Sequence, residues 1–271
     1  KRAVGLINIS IKPKNVEPQK LKKKPAKLGN AILTSKNMYN KDVQTFSEGN
    51  WNLETIQNMF SSNIDNIDIE MSFLTQQDRG SIGVSFEIYY NANEEAIGHM
   101  DRIFKKELDN SGVQRIIIEH AKFDLDVAYQ GKGISSKLLD NMEDEYKKNG
   151  VYAIDLDTDM VGCYAWALQG YDFASKYNLD RIKNHFVKTL RVKLSKNVIN
   201  QVQFEKMVNE MGNFKHSWEF AFWNPTKSQW GKHIGKAWLL NTPWRGRKIL
   251  DDNNEGYRIG KLYRERKNVG T

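Results

Sequence analysis

The spacing of apolar positions changes period along the chain, and each change marks an element. From Asn50, the residues Leu53, Ile56, Met59 and Phe60 recur at helical spacing and predict a helix over 50–62, with Asn50 or Asn52 as cap. The pattern then shortens to alternation. Ile67 to Leu74, Ser81 to Tyr90, Ala96 to Lys105 and the longer Gln114 to Val127 read as strands, separated by turn-forming groups such as 77–80 and 91–93. Helical spacing returns at Gly133 to Lys148, where Ile134, Leu138, Leu139, Met142 and Tyr146 share a face, and Gly150 stops the helix. Tyr152, Ile154 and Leu156 alternate into a fifth strand, which makes this stretch a parallel crossover unit. Asp159 is placed to cap a further helix that Gly170 ends, residues 175–213 read as mostly helical, and Lys236 to Leu240 with Arg247 to Leu250 read as late strands.

Composition narrows the class. The chain has 271 residues, enough for one large domain or two small ones. With 39% hydrophobic and 27% charged residues, 19 Gly and 5 Pro, it is neither collagen-like nor disordered. No run approaches the 18 apolar residues of a membrane span. The single cysteine, Cys163, excludes an intrachain disulfide framework and fits a reducing compartment. The formal charge of +8 is concentrated in residues 1–28, which hold nine basic residues against Glu17 alone, so the rest of the chain is balanced. Such a segment reads as a solvated arm or as one that grips nucleic acid or an acidic protein surface. The chain begins at Lys1 rather than Met, which fits a piece of a longer polypeptide. Five of the 7 tryptophans lie between Trp218 and Trp244 among lysines; aromatics beside cations stack bases, but the irregular spacing favours core and rim of a late strand pair.

Chemistry concentrates after the long strand. Leu125 to Leu139 places Gln130, Gly131, Lys132, Gly133, Ile134 and Ser135 in a turn between strand and helix. Such a turn aims free backbone N–H groups and the positive end of a helix dipole at one point, which suits a pyrophosphate. A dinucleotide fingerprint is excluded, because its third glycine would fall at Ser136 and no run of βα units surrounds the turn.

Gln130-Gly131-Lys132-Gly133-Ile134-Ser135 resembles the acyl-CoA motif, Gln/Arg-x-x-Gly-x-Gly/Ala, of the GNAT superfamily of N-acetyltransferases. The order of elements is similar as well: helix, three strands, a long fourth strand, glycine turn, helix, fifth strand, helix. Gly170-Tyr171 looks like the Gly-Phe/Tyr that ends the second GNAT motif. The resemblance covers residues 50–175 and resumes at 236–250. It implies an α/β (α+β) fold with a mixed central sheet flanked by helices and a domain over 29–250 with a helical insertion at 175–235; it says nothing about the basic arm 1–28, and composition alone marks 251–271 as a polar, basic tail. It further implies acetyl-CoA as co-substrate, held by Leu125, Val127 and residues 130–135, and transfer to an amine by direct attack. The segments 161–173 and 235–240 also resemble GNAT-type modules of phage virion-associated proteins and polymorphic toxins. That second likeness implies a larger assembly as partner and a location in the cytoplasm or inside a phage particle.

Site residues follow from the same resemblance. Glu119 stands eleven residues before Gln130, where the histone acetyltransferase branch carries its catalytic Glu. Simple strand alternation sets Glu119 with Ile117, Ala121, Phe123, Leu125 and Val127 on an apolar face, which would raise its pKa, and sets His120, Lys122, Asp124 and Asp126 on the other. Pairing with Arg115 or a lysine is the competing reading of Glu119. Asp155 and Asp157 are the next carboxylates. Two positions depart from the family. Ser135 replaces the usual Gly or Ala, and Trp166 stands four residues before Gly170, where many GNAT enzymes carry the tyrosine that protonates the leaving thiolate. An indole cannot be that acid, so Tyr164 would substitute or the module is a catalytically inactive binding or structural unit. Cys163, near a helix start, would have a lowered pKa with His120 near it, although nothing else supports a Cys-His nucleophile. The 5 histidines show no metal-ligand spacing, and no metal is expected.

Overall fold

Alternating residues between 67 and 125 build a four-stranded antiparallel meander, and everything else is arranged on or beside it. The computed structural model describes residues 24–269 except 63, 79, 91–94, 110, 160–161, 225–233 and 241. The chain starts with β1 (Lys27–Leu28), α1 (Asn30–Thr34), α2 (Lys36–Phe46) and α3 (Leu53–Met59). The meander is β2 (Ile67–Asp78), β3 (Ser81–Tyr90), β4 (Glu95–Leu108) and β5 (Gln114–Leu125). Next come α4 (Ile134–Lys148), β6 (Val151–Asp157), α5 (Gly162–Leu168) and β7 (Asp172–Phe173). Helices α6 (Lys176–Ser195), α7 (Gln201–Gly212), α8 (Ser217–Phe222) and α9 (Ile234–Leu239) precede β8 (Arg245–Ile249) and α10 (Glu255–Val269).

One mixed sheet of eight strands results, in the order β1-β2-β3-β4-β5-β6-β8-β7. The β5–β6 pair is parallel, as a crossover through α4 requires, while β6–β8 and β8–β7 are antiparallel. This is the mixed α/β architecture expected, with helices flanking the sheet and the expected element order from α3 to α5. Asn52 caps α3 through a reciprocal box with Thr55, at 2.8 and 3.2 Å. Gly150 follows α4 at φ +78°. Among the described residues no helix is long and apolar enough to cross a membrane.

Four expectations are corrected. Residues 24–28, read as part of the arm, enter the fold: Ala26 is buried and β1 pairs with β2; the arm's residues 1–23 lie outside the described residues. Besides these four, residues 29–46, for which no element was expected, carry α1 and α2, whose few buried side chains, Ile32, Val43 and Phe46, are too sparse to show a period. Lys236 to Leu240 is not a strand but belongs to α9, which buries Ile234, Trp238 and Leu239. That helix lies on α8 so closely that a Cβ at Gly235 would sit 1.8 Å from the Phe220 carbonyl oxygen. Trp218, Trp223, Trp238 and Trp244 are core residues, but of short helices and a loop rather than a strand pair.

The fourth correction concerns 251–271, of which 255–269 form the helix α10 rather than a tail. Its glycines Gly256 and Gly260 meet the backbone of Gln169 and Gly170, where added Cβ atoms would lie 2.5 and 2.1 Å from carbonyl oxygens. This approach delivers Arg264 to a wholly buried site. There Glu143 of α4 accepts from Lys248 of β8 at 2.9 and 2.8 Å and from Arg264 at 3.1 and 2.7 Å, with all three side chains at 0% exposure. Asp140 and Gln169 also receive bonds from Arg264. Burial drives the Glu143 pKa upward, but the adjacent Lys248 and Arg264 hold the carboxyl below its usual value.

Breaking a buried pair strands a charge, so Glu143→Gln is expected to lower the unfolding free energy by about 3–5 kcal/mol, read from urea midpoints. A loss below about 1 kcal/mol would show the cluster to be dispensable. Burial also pulls Lys248 from 10.5 to about 8. Between those values the unfolded chain binds a proton that the folded chain does not, so this group makes stability rise with pH from about 8 to 10. Urea titrations at both ends of that window should show the rise in the wild type and not in Lys248→Met.

Candidate active site

A single extra residue in β5 determines what faces where. Against β4, Asp101 stands opposite Lys122 and Arg102 opposite His120, which leaves Ala121 as a bulge. The guanidinium of Arg102 pins it, donating to the Lys122 carbonyl at 2.6 Å and to the Asp101 carbonyl at 2.8 Å. The bulge reverses the alternation, and the sequence-based face assignment is thereby corrected. His120 is buried at 5% exposure and Ile118 at 0%, whereas Glu119 is half-buried and accepts from the Lys105 ammonium. Glu119 is thus the lysine-paired carboxylate of the competing reading, not one on an apolar face.

Pairing of β5 with β6 ends at His120 and Leu156, yet β5 runs on to Leu125. Beyond His120 that edge of β5 has no strand beside it, and β6 departs at Thr158, whose N–H donates to the Trp244 carbonyl at 2.9 Å. The open edge leads straight into the glycine turn. Val127–Tyr129 forms one 3-10 turn, the Gln130 side chain donates to the Leu125 carbonyl at 2.7 Å, and α4 starts from Gly133. Gly131 and Gly133 have φ of +74° and +79°, which glycine alone adopts readily, and a Cβ on either would meet nothing within 4 Å. The backbone N–H groups from Gly131 to Ser136 find no acceptor among the described residues, and Gly133 supplies no capping side chain. Six free donors at the start of a 15-residue helix make an anion site. The Lys132 ammonium lies 5.0 Å from the Tyr129 ring, beside a cleft of about 450 Å³ walled by Tyr90, Tyr129 and Ile134. Val127 is 85% exposed, and Ser135 is half-buried.

Where the strands part, buried polar side chains gather, several of them with unpaired atoms. The His120 ring is 5.9 Å from that of Tyr146 and 6.4 Å from that of Trp166, which in turn lies 5.1 Å from Tyr171. Both His120 nitrogens and the Tyr171 hydroxyl are buried without a hydrogen-bond partner among the described residues, and the Tyr146 hydroxyl faces the Arg102 guanidinium. Burial, reinforced by Arg102 and Lys248, holds the His120 imidazole well below its ordinary pKa and therefore neutral. Burial likewise pushes both phenols upward. The sequence signal for this cluster is Met100-x-Arg102-x-Phe104, a cation at an inward position of an alternating strand.

The other anticipated residues serve elsewhere. Asp155, at 3% exposure, accepts from Arg247 at 2.6 and 2.7 Å, and Arg247 reaches Glu107 at 2.9 Å, so the three tie β4, β6 and β8 together. Asp157 is exposed at the end of β6. Tyr164 is half-buried with the Lys236 ammonium 5.6 Å from its ring, and burial raises its pKa. Cys163 is fully buried, and burial raises its thiol where a helix start was expected to lower it. Among the described residues no group of three or more His, Cys, Asp or Glu is arranged to hold a metal.

No family model and no curated protein matches the chain. Partial likenesses to solved structures exist. An acetyltransferase from Trypanosoma brucei matches at 17% identity over 28% of this chain and 52% of its own, with a TM-score of 0.25, so the match spans about half of that protein. A GNAT family acetyltransferase from Elizabethkingia anophelis, solved with acetyl-CoA bound, matches at 15% identity over 41% of this chain and 80% of its own, with a TM-score of 0.30. Arabidopsis thaliana Naa50, in complex with a bisubstrate analogue, matches at 15% identity over 56% and 85%, with a TM-score of 0.27.

Two unpartnered buried nitrogens are costly, so His120→Leu should raise the unfolding free energy by about 1 kcal/mol in urea titrations. A fall of more than about 2 kcal/mol would show the ring to be firmly bonded in the folded chain.

Proposed function

We propose that the chain is an acyl-CoA-dependent N-acyltransferase of GNAT type that passes an acetyl group from acetyl-CoA to an amine by direct attack. One observation carries the reading: the edge of β5 left without a strand beyond His120 among the described residues leads through one 3-10 turn to six free N–H groups at the start of α4. An extended chain ending in a pyrophosphate has that shape and that charge. The Gln130 to Ser135 motif and the element order support it, and so does the open space at both glycines.

In this reading, residues 131–136 bind the pyrophosphate, and Lys132 adds a counter-charge. The β5 backbone around Leu125 and Val127 takes the amide groups of the pantetheine arm. Acetyl-CoA supplies an activated acyl thioester; the residues of the chain orient it, exclude water and move protons. Glu119 and Asp155 are already engaged as acceptors by Lys105 and Arg247. His120, neutral and with both nitrogens unpartnered where the strands part, is the free acceptor for the proton of the amine. Tyr164 is the acid for the departing thiolate. Trp166, which cannot donate in that way, favours a second reading in which the same cradle serves a binding module without turnover.

Calorimetric titration with acetyl-CoA separates the outcomes. Wild type is expected to bind at micromolar Kd and Gly133→Glu at least a hundredfold more weakly, about 3 kcal/mol, with an unchanged circular dichroism spectrum. No binding by the folded wild type, or equal binding by the variant, would overturn the assignment of the cradle.

A further inference from the structure

Helix α6 lies outside the site described above, and its charge is out of balance. Its 20 residues include six Lys and Arg against Asp180 alone, in a chain whose residues beyond 28 are balanced overall. Positive charge is therefore segregated onto this helix. The buried face, Ile182, Phe186 and Leu190, settles its orientation and turns Arg181, Lys188 and Arg191 outward to solvent. None of these three has a carboxylate partner among the described residues; Arg181 donates only to the Pro243 carbonyl. The field is felt locally: after burial, Lys188 and Arg181 are what depress the pKa of His185 between them. Like charges held this close cost stability unless something neutralises them.

Two further features bear on what does so. Tyr177, one turn before Arg181 on the same side, is 74% exposed, an unusual place for a large ring. A cleft of about 430 Å³ opens between Tyr177, Asp180, Arg181, His185, Lys188 and Thr242, with three cationic or ring-nitrogen side chains around the one carboxylate. A flat lysine-rich surface would suit any polyanion, but a cleft with rings at its side suits a base that has left a stack. We propose that this face of α6 binds single-stranded nucleic acid, with Arg181, Lys188 and Arg191 on successive phosphates over about 15 Å of helix and a base in the cleft against Tyr177. The surface is distinct from the basic residues 1–28 and independent of the acyl-CoA reading.

The test is fluorescence anisotropy of a labelled 20-nucleotide oligo(dT), titrated with the full chain across a salt series. The triple variant Arg181→Ala/Lys188→Ala/Arg191→Ala is expected to bind at least tenfold more weakly, with the log Kd against log salt slope reduced by about 2. Tyr177→Ala should weaken binding of the single strand severalfold and leave a 20-base-pair duplex unaffected. A control triple elsewhere, Lys122→Ala/Lys147→Ala/Lys148→Ala, removes the same charge and should retain most of the affinity. Equal losses in both triples would reduce the effect to net charge and overturn the proposal. Unchanged affinity and slope in the α6 triple would overturn it too, and would assign binding to residues 1–28. A Tyr177→Ala effect of equal size on the duplex would rule out the stacked base.

Discussion

The extra residue at Ala121 is the constraint on which the rest of the site depends. A regular β5 would carry His120 outward and Glu119 inward, and would present the glycine turn from the other side of the sheet. With the bulge, β5 turns from β6 after His120, and its free edge points along the path to α4. The cost of the irregularity is met by Arg102, whose guanidinium bonds carbonyl groups on both strands across the kink. That cation has no carboxylate of its own, and burial depresses its pKa. It and the neutral His120 belong to one arrangement: a positive charge enclosed among hydroxyls, under the place where the strands separate. Polar groups so placed and left unbonded destabilise a fold, and they persist where function needs them.

A second polar centre holds the opposite end of the layer. Glu143 draws α4, β8 and α10 together through Lys248 and Arg264, while the Asp155, Arg247 and Glu107 network joins strands of the sheet. The helix that starts with the free amides is therefore fixed towards its far end by charges, while its first residue follows Gly133 with no capping side chain. Rigidity behind and open donors in front leave the first turn available to a ligand.

Much of this was legible in the residues. The meander, the glycine turn, α4 and the crossover to β6 follow from periodicity and from Gly131, Gly133 and Gly150, because each of those signals is local. What was not legible is non-local. The bulge shows only in the register of Asp101 and Arg102 against His120 and Lys122, so parity counted along β5 alone put Glu119 and His120 on the wrong sides. The helix α10 looks like a polar tail because its buried positions are Gly256, Tyr257, Gly260 and Arg264, a set with one aromatic, two glycines and a charge that does not register as an apolar stripe. The strand expected at Lys236 failed for a similar reason: Gly235 is a contact with Phe220, and nothing nearby in sequence says so.

Arg264 has one more implication, which concerns the order of events as the chain is made. All eight strands and both partners of the Glu143 to Lys248 pair leave the ribosome before this arginine does. Until then Glu143 has half of its bonds, Gln169 lacks a donor, and the glycine step at 256 and 260 is absent from the surface it will cover. The sheet is thus complete as a list of strands before the interior beside it can close. Helix α10 acts as the latch, and the interior beside the sheet closes only once this helix has been made.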